Sequence, residues 1–130
     1  MVHDDVDLCG EGTPRVIGDV MQDATEEPAR ELARMRRLDA RRTELVALLG
    51  HDMRDRLTVV GALAEILRLR WDDLSNDEKL ENLEGIRRNS RTLTRLLDES
   101  QHALTDPEAL LQTGPAEIAA EIRARAASHD

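Results

Sequence analysis

The chain has 130 residues, of which 35% are charged and 40% are hydrophobic, and it contains one Trp and no Phe or Tyr. Its net charge of −9 comes from the two ends, because residues 27–104 carry fifteen acidic and fifteen basic side chains. This balance argues against general nucleic-acid binding, which needs a basic face. The scarcity of aromatic side chains and the abundance of Leu, Ala, Arg and Glu favour an all-α protein whose core is a seam between helices.

Residues 1–26 form a distinct acidic N-terminal segment. They carry seven acidic side chains and one basic side chain, with three glycines and one proline among them, which predicts a flexible lead-in. Cys9 is the one cysteine of the chain, so an internal disulfide is excluded and a cytoplasmic location is expected. No apolar run approaches the roughly 20 residues of a membrane span, so we expect no membrane association.

A long amphipathic helix is predicted from about Glu26–Pro28 to about Trp71, because Pro is tolerated in a first helical turn and no Pro follows until residue 107. A run of five arginines between residues 34 and 42 is interpreted as a solvated surface that pairs with nearby acids. A helix of roughly 40 residues needs a partner along much of its length. The predicted core stripe consists of Leu45, Leu49, Met53, Leu57, Val60, Leu63 and Leu67.

A second helix is predicted from about Asn76 to Leu104, where Ser75 and Glu78 have the spacing of a capping box. Two helices joined by so short a turn form an antiparallel hairpin, here residues 27–104. One hairpin leaves much leucine surface exposed, so the expected architecture is an antiparallel helical hairpin that dimerises into a four-helix bundle. The apolar line of the second helix has a strict heptad rhythm and comprises Leu83, Ile86, Ser90, Leu93, Leu97, Ser100 and Leu104.

Residues 105–130 are predicted to follow the hairpin as a tail. Asp106-Pro107 ends the second helix, a turn follows at Gly114-Pro115, and a short amphipathic helix is expected from about Ala116 to Ala127. The apolar face of this helix is too small for independent stability.

His51 is predicted to face water, because at about 100° per residue it is turned roughly 170–180° from the centre of the core stripe. Asp55 follows one helical turn later on the same face, and Asp52 lies on the flank. A carboxylate beside an exposed imidazole accepts the proton of one ring nitrogen and leaves the other nitrogen as a nucleophile. Such a pair alone is a weak indication of function, since most exposed histidines near aspartates are ordinary surface residues.

The sequence around His51 carries a more specific signal. Residues 45–58 read LVALLGHDMRDRLT, which resembles the H-box of sensor histidine kinases, a motif that typically reads Phe-Leu-Ala-x-x-Ser-His-Glu/Asp-Leu-Arg-Thr-Pro-Leu-Thr. Residues 74–79 and 86–100 look like the start and the body of the second helix of the same domain. The resemblance covers about residues 40–104, and the chain is therefore similar to the dimerisation and phosphoacceptor (HisKA-type) domain of two-component systems.

This resemblance implies a homodimer that accepts phosphate from ATP bound on a separate catalytic domain. The dimer then passes the phosphate to an aspartate in the receiver domain of a response regulator. On the family pattern, His51 is the phosphoacceptor, Asp52 is the general base that removes its proton, and Arg54 orients the acidic site or the phosphate.

Two positions depart from the family pattern. Asp55 replaces the Thr or Asn to which the family assigns the positioning of water for phosphatase activity, and a carboxylate there repels phosphoryl oxygens. Arg56 replaces a helix-bending Pro, so a straighter helix is expected. Because Arg56 falls only roughly 30° from the centre of the core stripe, it must snorkel, pair with an acid such as Glu81 or Glu84, or be accommodated by a local rotation of the helix.

The boxes that hold nucleotide and Mg²⁺ in the ATP-binding domain of the kinase are not found in the 130 residues. Residues 109–118 look similar to the first strand and helix of that domain, so the tail resembles its beginning. We therefore expect no bound cofactor and no autophosphorylation by this chain alone, with an ATP-binding kinase domain acting in trans.

The leading hypothesis is a histidine phosphotransfer module of a two-component system, either a separate protein or a part of a larger kinase. The alternative is a degenerate relative that takes no phosphate and acts as a dimeric binding module, sequestering a response regulator or a kinase. The altered pair Asp55-Arg56 motivates this alternative. A third interpretation is an unrelated helical structural protein.

Overall fold

The computed structural model describes the backbone of residues 13–128 and the side chains of residues 26–128. Within this range the chain is all-helical and contains no strand, so the predicted all-α class is confirmed. A 3-10 turn at Trp71–Asp73 joins the first two helices. The residues up to Arg37 and the residues from Leu38 onward form two compact units. The helices are α1 (Thr13–Arg70), α2 (Asn76–Leu104), α3 (Pro107–Gln112) and α4 (Pro115–Ala127).

Helix α1 begins earlier than the sequence predicted. It starts at Thr13 and contains Pro28, so the expected start at Glu26–Pro28 is wrong, and residues 13–25 are helical rather than a flexible lead-in. Pro28 removes one backbone hydrogen bond, but the Ala, Arg, Glu and Leu residues that follow it have high helix propensity. The rest of the predicted lead-in, including Cys9, lies outside the described residues.

In the unit that begins at Leu38, α1 and α2 pack as the predicted antiparallel hairpin. As the residue number rises along α1, the number of its contact partner falls along α2, and the two directions converge on the 3-10 turn. Three contacts define this register: Arg42 with Leu104, Arg56 with Asn89, and Leu63 with Gly85.

The face of α2 that packs in the hairpin is shifted by one residue, about 100°, from the predicted heptad seam. In that seam, Leu83, Ser90 and Leu97 are exposed. The packed face is richer in small residues, which allow close approach, and a Cβ on Gly85 would lie 2.8 Å from Leu63 Cδ1. The buried residues of α2 are Gly85, Asn89, Thr92, Leu96 and Ser100, of which Ser100 alone belongs to the predicted seam.

The polar members of this packed face are satisfied within α2. Asn89, Thr92 and Ser100 each donate to the backbone carbonyl four residues earlier, which removes most of the cost of burying their polar groups. Small and polar residues thus fill the close contact inside the hairpin. Leu83 and Leu97 of the heptad seam remain on its surface.

The turn end of the hairpin is held by local polar contacts. The capping box predicted from the sequence is confirmed, since Glu78 N donates to Ser75 Oγ at 3.1 Å and Ser75 N donates to the Glu78 carboxylate at 2.9 Å. Lys79 Nζ lies 4.3 Å from the centre of the Trp71 ring, a cation–π contact across the turn. Leu74, in the same turn, is buried at 9% exposure.

Helices α3 and α4 fold back onto the open end of the hairpin, so the tail belongs to the same compact unit as the hairpin. Where the resemblance to an ATP-binding domain implied a strand, the chain forms α3, because Asp106 caps the helix and Pro107 fits its first turn. The hairpin supplies the apolar surface that the tail helix lacks by itself. The common core comprises Leu38, Leu45, Leu49, Leu96, Leu110, Ile118, Ala119, Ile122 and Ala126.

Three arginine side chains form hydrogen bonds between helices at the open end of the hairpin. Carbonyls in the last turn of a helix lack intrahelical partners, and arginine side chains donate to such carbonyls at the ends of α2, α3 and α4. The interpretation of the arginine run as solvated surface is therefore wrong for Arg41 and Arg42. The bonds run from Arg41 to Leu110 O (2.7 Å) and Leu111 O (3.0 Å), from Arg42 to Leu104 O (3.1 Å), and from Arg95 to Ala126 O (3.3 Å).

Candidate functional site

His51 lies on the solvent side of α1, as the helical periodicity predicts. Leu45 and Leu49 in the preceding turns are 0% and 1% exposed, and their burial fixes the rotation of the helix. The His51 side chain is 73% exposed. The imidazole is therefore open to approach from solvent, on a helix whose opposite face is anchored in the core.

Asp55 is the acidic neighbour of the imidazole. Its Oδ2 lies 3.5 Å from His51 Nε2, and the Asp55 side chain is 68% exposed. This distance is longer than that of a strong hydrogen bond, and a contact so open to water contributes little to stability. The i, i+4 spacing thus brings the two side chains together, but loosely.

Asp52, the expected general base, faces a different partner. Its Oδ2 accepts a hydrogen bond from Nε of Arg123 on α4, and its side chain is 23% exposed. Asp52 lies about 60° from Leu49 around the helix, which places its carboxylate on the flank where α4 packs. Sequence reasoning missed Arg123, because 71 residues separate it from Asp52 and only the packing of the tail brings the two together.

Arg54 and Thr58 complete the exposed surface around His51. The Thr58 hydroxyl donates to the Arg54 carbonyl at 2.8 Å, so it is turned toward its own helix. Arg54 presents a cation on the solvent side of α1, within one turn of His51.

Arg56 packs into the hairpin rather than reaching an acid. Its Nη1 donates to Asn89 Oδ1 at 3.0 Å, and Asn89 Nδ2 donates to Gly85 O at 2.7 Å. Of the three alternatives expected for Arg56, pairing with Glu81 or Glu84 does not occur, and Glu84 instead pairs with Arg87 at 2.8 Å. The side chain is half-buried, and α1 continues through this position without interruption.

An apolar surface continues the His51 face toward the turn. Its residues are 8, 11, 15 and 18 positions after His51, which places them within about 80° of its direction around α1. Val59, Ile66 and Leu69 are 43%, 38% and 64% exposed. We call this surface the outward patch: Val59, Ala62, Ile66 and Leu69.

A second apolar surface follows the predicted seam, on a different side of the hairpin. Leu57, Leu83 and Leu97 on this side are 57%, 46% and 49% exposed. We call these three leucines and the adjoining groove the open seam. The groove has a volume of about 230 Å³ and is lined by Val46, Leu49, Gly50, Met53, Leu97, Ser100, Gln101 and Leu104.

No model of a known protein family, no curated protein and no solved structure matches this chain. Among the described residues, no cluster of three or more His, Cys, Asp or Glu side chains is arranged to hold a metal ion. In the same part of the chain, no helix combines the length and the apolar character needed to cross a bilayer.

Proposed function

We propose that this chain is a histidine phosphotransfer module of a two-component signalling system. An ATP-binding kinase domain phosphorylates His51, and the phosphoryl group then passes to an aspartate of a response-regulator receiver domain. The observation that carries the proposal is the 73% exposed imidazole of His51 on the outer face of a helix whose inner face is held by buried leucines. The surrounding sequence resembles the phosphoacceptor motif of sensor histidine kinases.

Attack on phosphorus requires a ring nitrogen with a lone pair directed at the donor. Nε2 is the ring nitrogen farther from the helix backbone, so an approaching donor domain reaches it first. Nδ1 is the ring nitrogen nearer the backbone, and Asp52 is the residue that follows His51 in the sequence. We assign Nε2 as the nucleophile and Asp52 as the base that accepts the Nδ1 proton. The exposed contact of Asp55 with Nε2 is weak enough to open when a donor arrives.

Each of the two phosphoryl transfers forms one bond to phosphorus and breaks another. In the first, a bond forms between Nε2 and the γ-phosphorus of ATP, the bond from that phosphorus to the bridging oxygen breaks, and ADP leaves with the electron pair. The Nδ1 proton passes to Asp52, which leaves a neutral imidazole ring that carries the anionic phosphoryl group on Nε2. In the second, the receiver aspartate attacks the phosphorus, the nitrogen–phosphorus bond breaks, and Asp52 returns its proton to Nδ1.

The open seam supports a homodimer. Its leucines expose apolar surface that a second hairpin would bury, with the two hairpins forming a four-helix bundle. Each buried leucine side chain contributes about 1.5–3 kcal/mol, and several such contacts suffice for association at micromolar concentration. Light scattering tests this proposal: twice the chain mass of 14.6 kDa supports it, and the monomer mass alone contradicts it.

The outward patch supports docking of the receiver domain. It begins two helical turns after His51 on the same face of α1 and offers apolar contact beside the phosphoryl group that must be transferred. We expect Val59→Glu to slow transfer from phosphorylated His51 to a receiver, with the phosphorylation of His51 unchanged.

The degenerate binding module is the second candidate function, and two contacts favour it. Asp55 lies 3.5 Å from His51 Nε2, where it repels phosphoryl oxygens. The carboxylate of Asp52 is paired with Arg123. A chain that took no phosphate would still present the outward patch to a receiver or to a kinase.

Phosphorylation by a candidate partner kinase with γ-labelled ATP distinguishes the two functions. We expect acid-labile phosphate on the wild type and on His102→Gln, the matched control at another exposed histidine. His51→Gln should lose the label and keep its helix content, because the side chain is mostly solvent-exposed. Label that persists in His51→Gln would place the acceptor elsewhere. A wild type that no partner kinase labels would favour the binding module, and Asp55→Thr would then test whether Asp55 blocks transfer.

A further inference from the structure

We infer that α4 acts as an inhibitory latch on the phosphoacceptor site. Arg123 holds the carboxylate of Asp52 away from His51, and the imidazole reacts at its full rate only when this contact opens. The inference rests on the proposed function, because it needs Asp52 to serve as the base for His51.

The position of Arg123 follows from the packing of α4. Ile118 and Ile122 are 6% and 0% exposed, and their burial fixes the rotation of this helix against the hairpin. Arg123 comes directly after Ile122, so it emerges at the edge of the buried face. Asp52 lies at the corresponding edge of α1, beside Leu49. The two charged side chains meet where the surfaces of α1 and α4 adjoin, and Arg123 Nε donates to Asp52 Oδ2.

The ion pair is not what holds α4 in place. The buried side chains of the helix anchor it, Arg95 donates to the carbonyl of Ala126 at 3.3 Å, and Arg125 lies 3.5 Å from Glu99. Arg123 is 43% exposed, and a pair open to water contributes little to the stability of a fold. The main consequence of the Arg123 contact is therefore the restraint that it places on Asp52.

A latch of this kind is easily opened. An exposed ion pair shifts the balance between closed and open forms by a factor of about two to five. Phosphoryl oxygens also compete well for a guanidinium group, so an incoming phosphoryl donor offers Arg123 another partner. When Arg123 turns to that partner, Asp52 is released to accept the Nδ1 proton.

Phosphoramidate tests the latch without a partner kinase, since it phosphorylates exposed imidazoles directly. The nitrogen–phosphorus bond of the reagent breaks, ammonia leaves, and a bond forms between phosphorus and the ring nitrogen. Mass spectrometry resolves the phosphorylated sites, and His102 serves as the internal reference for reagent reactivity. The quantity measured is the initial rate at His51 divided by the rate at His102, in the full chain.

We expect Arg123→Gln to raise this ratio about two- to five-fold. Arg87→Gln is the matched control, because it removes an exposed, ion-paired arginine that contacts Glu84 instead. It should leave the ratio unchanged. In an Asp52→Asn background, Arg123→Gln should have no further effect, because the latch acts through that carboxylate.

An unchanged or lower ratio in Arg123→Gln would overturn the latch, as would an equal rise in Arg87→Gln or a rise that persists in Asp52→Asn. Circular dichroism checks the fold of each variant. If Arg123→Gln loses helix content, Arg123→Met, which keeps the aliphatic stem, carries the same expectation. Failure of the proposed function appears separately, as the absence of His51 labelling by any partner kinase with ATP.

Discussion

The two halves of the hairpin bury their apolar side chains in different ways. In the half at the open end, formed by residues 38–53 and 92–104, α3 and α4 close the core, and Leu45 and Leu49 are almost fully buried. In the half at the turn, formed by residues 57–70 and 76–90, large apolar side chains such as Leu57 and Leu69 remain 57% and 64% exposed. We call these the tail-covered half and the turn half.

The difference shows which part of the proposed site depends on a partner. The tail-covered half acquires its third layer from its own chain, and His51 lies in this half. Its orientation is therefore set within one chain, before any dimer forms. The turn half carries the outward patch and part of the open seam, so it is the half that we expect other molecules to cover.

Substitution of Ile122 tests the difference in packing between the two halves most directly. This side chain is 0% exposed in the core of the tail-covered half, so we expect Ile122→Ala to lower the free energy of unfolding by about 2–5 kcal/mol. The matched change in the turn half is Leu69→Ala, at a side chain that is 64% exposed, where the loss should stay within about 0.5 kcal/mol. Urea denaturation followed by circular dichroism measures both. Equal losses would show that the two halves are not differently packed.

The proposed dimer gives the next test, and it addresses the turn half. Leu57 belongs to the open seam, so Leu57→Glu should raise the dimer dissociation constant about 10- to 100-fold, given the value of a buried leucine. Val59→Glu is the control, because Val59 lies about 200° away around α1 and belongs to the outward patch. Sedimentation equilibrium measures both variants. A dimer that resists Leu57→Glu would place the interface on another surface.

Features of the fold that depend on local sequence were predictable. The bounds of α2 and its capping box depend on Ser75, Glu78 and helix propensity, which act within a few residues. The outward direction of His51 depends only on helical periodicity and the buried leucines of its own helix. None of these features depends on which other helix packs against the element that carries it.

Features that depend on tertiary packing were not predictable. Hydrophobic periodicity gives most weight to leucine, so it predicts packing along the heptad line of α2. The hairpin instead packs through the neighbouring line, which contains Gly85 and Asn89, because the two helices approach closely there. The contact of Arg123 with Asp52 depends on the docking of α4, and no local pattern encodes it. The start of α1 at Thr13 is hidden by Pro28, because a proline fits the first turn of a helix better than its interior.

The close approach inside the hairpin is itself testable at Gly85. A Cβ there would lie 2.8 Å from Leu63 Cδ1, whereas nothing lies within 4 Å of a Cβ at Gly61. Gly61→Ala should raise the free energy of unfolding by about 0.5–1 kcal/mol through helix propensity. The free energy of unfolding of Gly85→Ala should be about 1–2 kcal/mol lower than that of Gly61→Ala because of overpacking. Measuring both in a Leu57→Glu background removes any effect on dimerisation. Equal gains at the two sites would mean that the hairpin has room at Gly85.

The smallest expected effect is a pH dependence at the turn, where local polar contacts replace the core of the tail-covered half. The Ser75 backbone amide, and then its side chain, hold the pKa of Glu78 below its ordinary value by hydrogen bonding to the carboxylate. A carboxyl whose pKa is lowered by folding adds stability above its unfolded pKa, roughly pH 4–5, and this stability is lost as the pH falls through the folded pKa. Thermal unfolding of the wild type and Glu78→Gln should therefore differ most at pH 6 and converge toward pH 3. In a Ser75→Ala background, which removes the hydroxyl but keeps the amide, the difference at pH 6 should shrink without vanishing. A difference in thermal stability that stayed constant from pH 6 to pH 3 would show that ionisation of the Glu78 carboxylate does not stabilise the turn. The capping box would then not depend on the charge of Glu78.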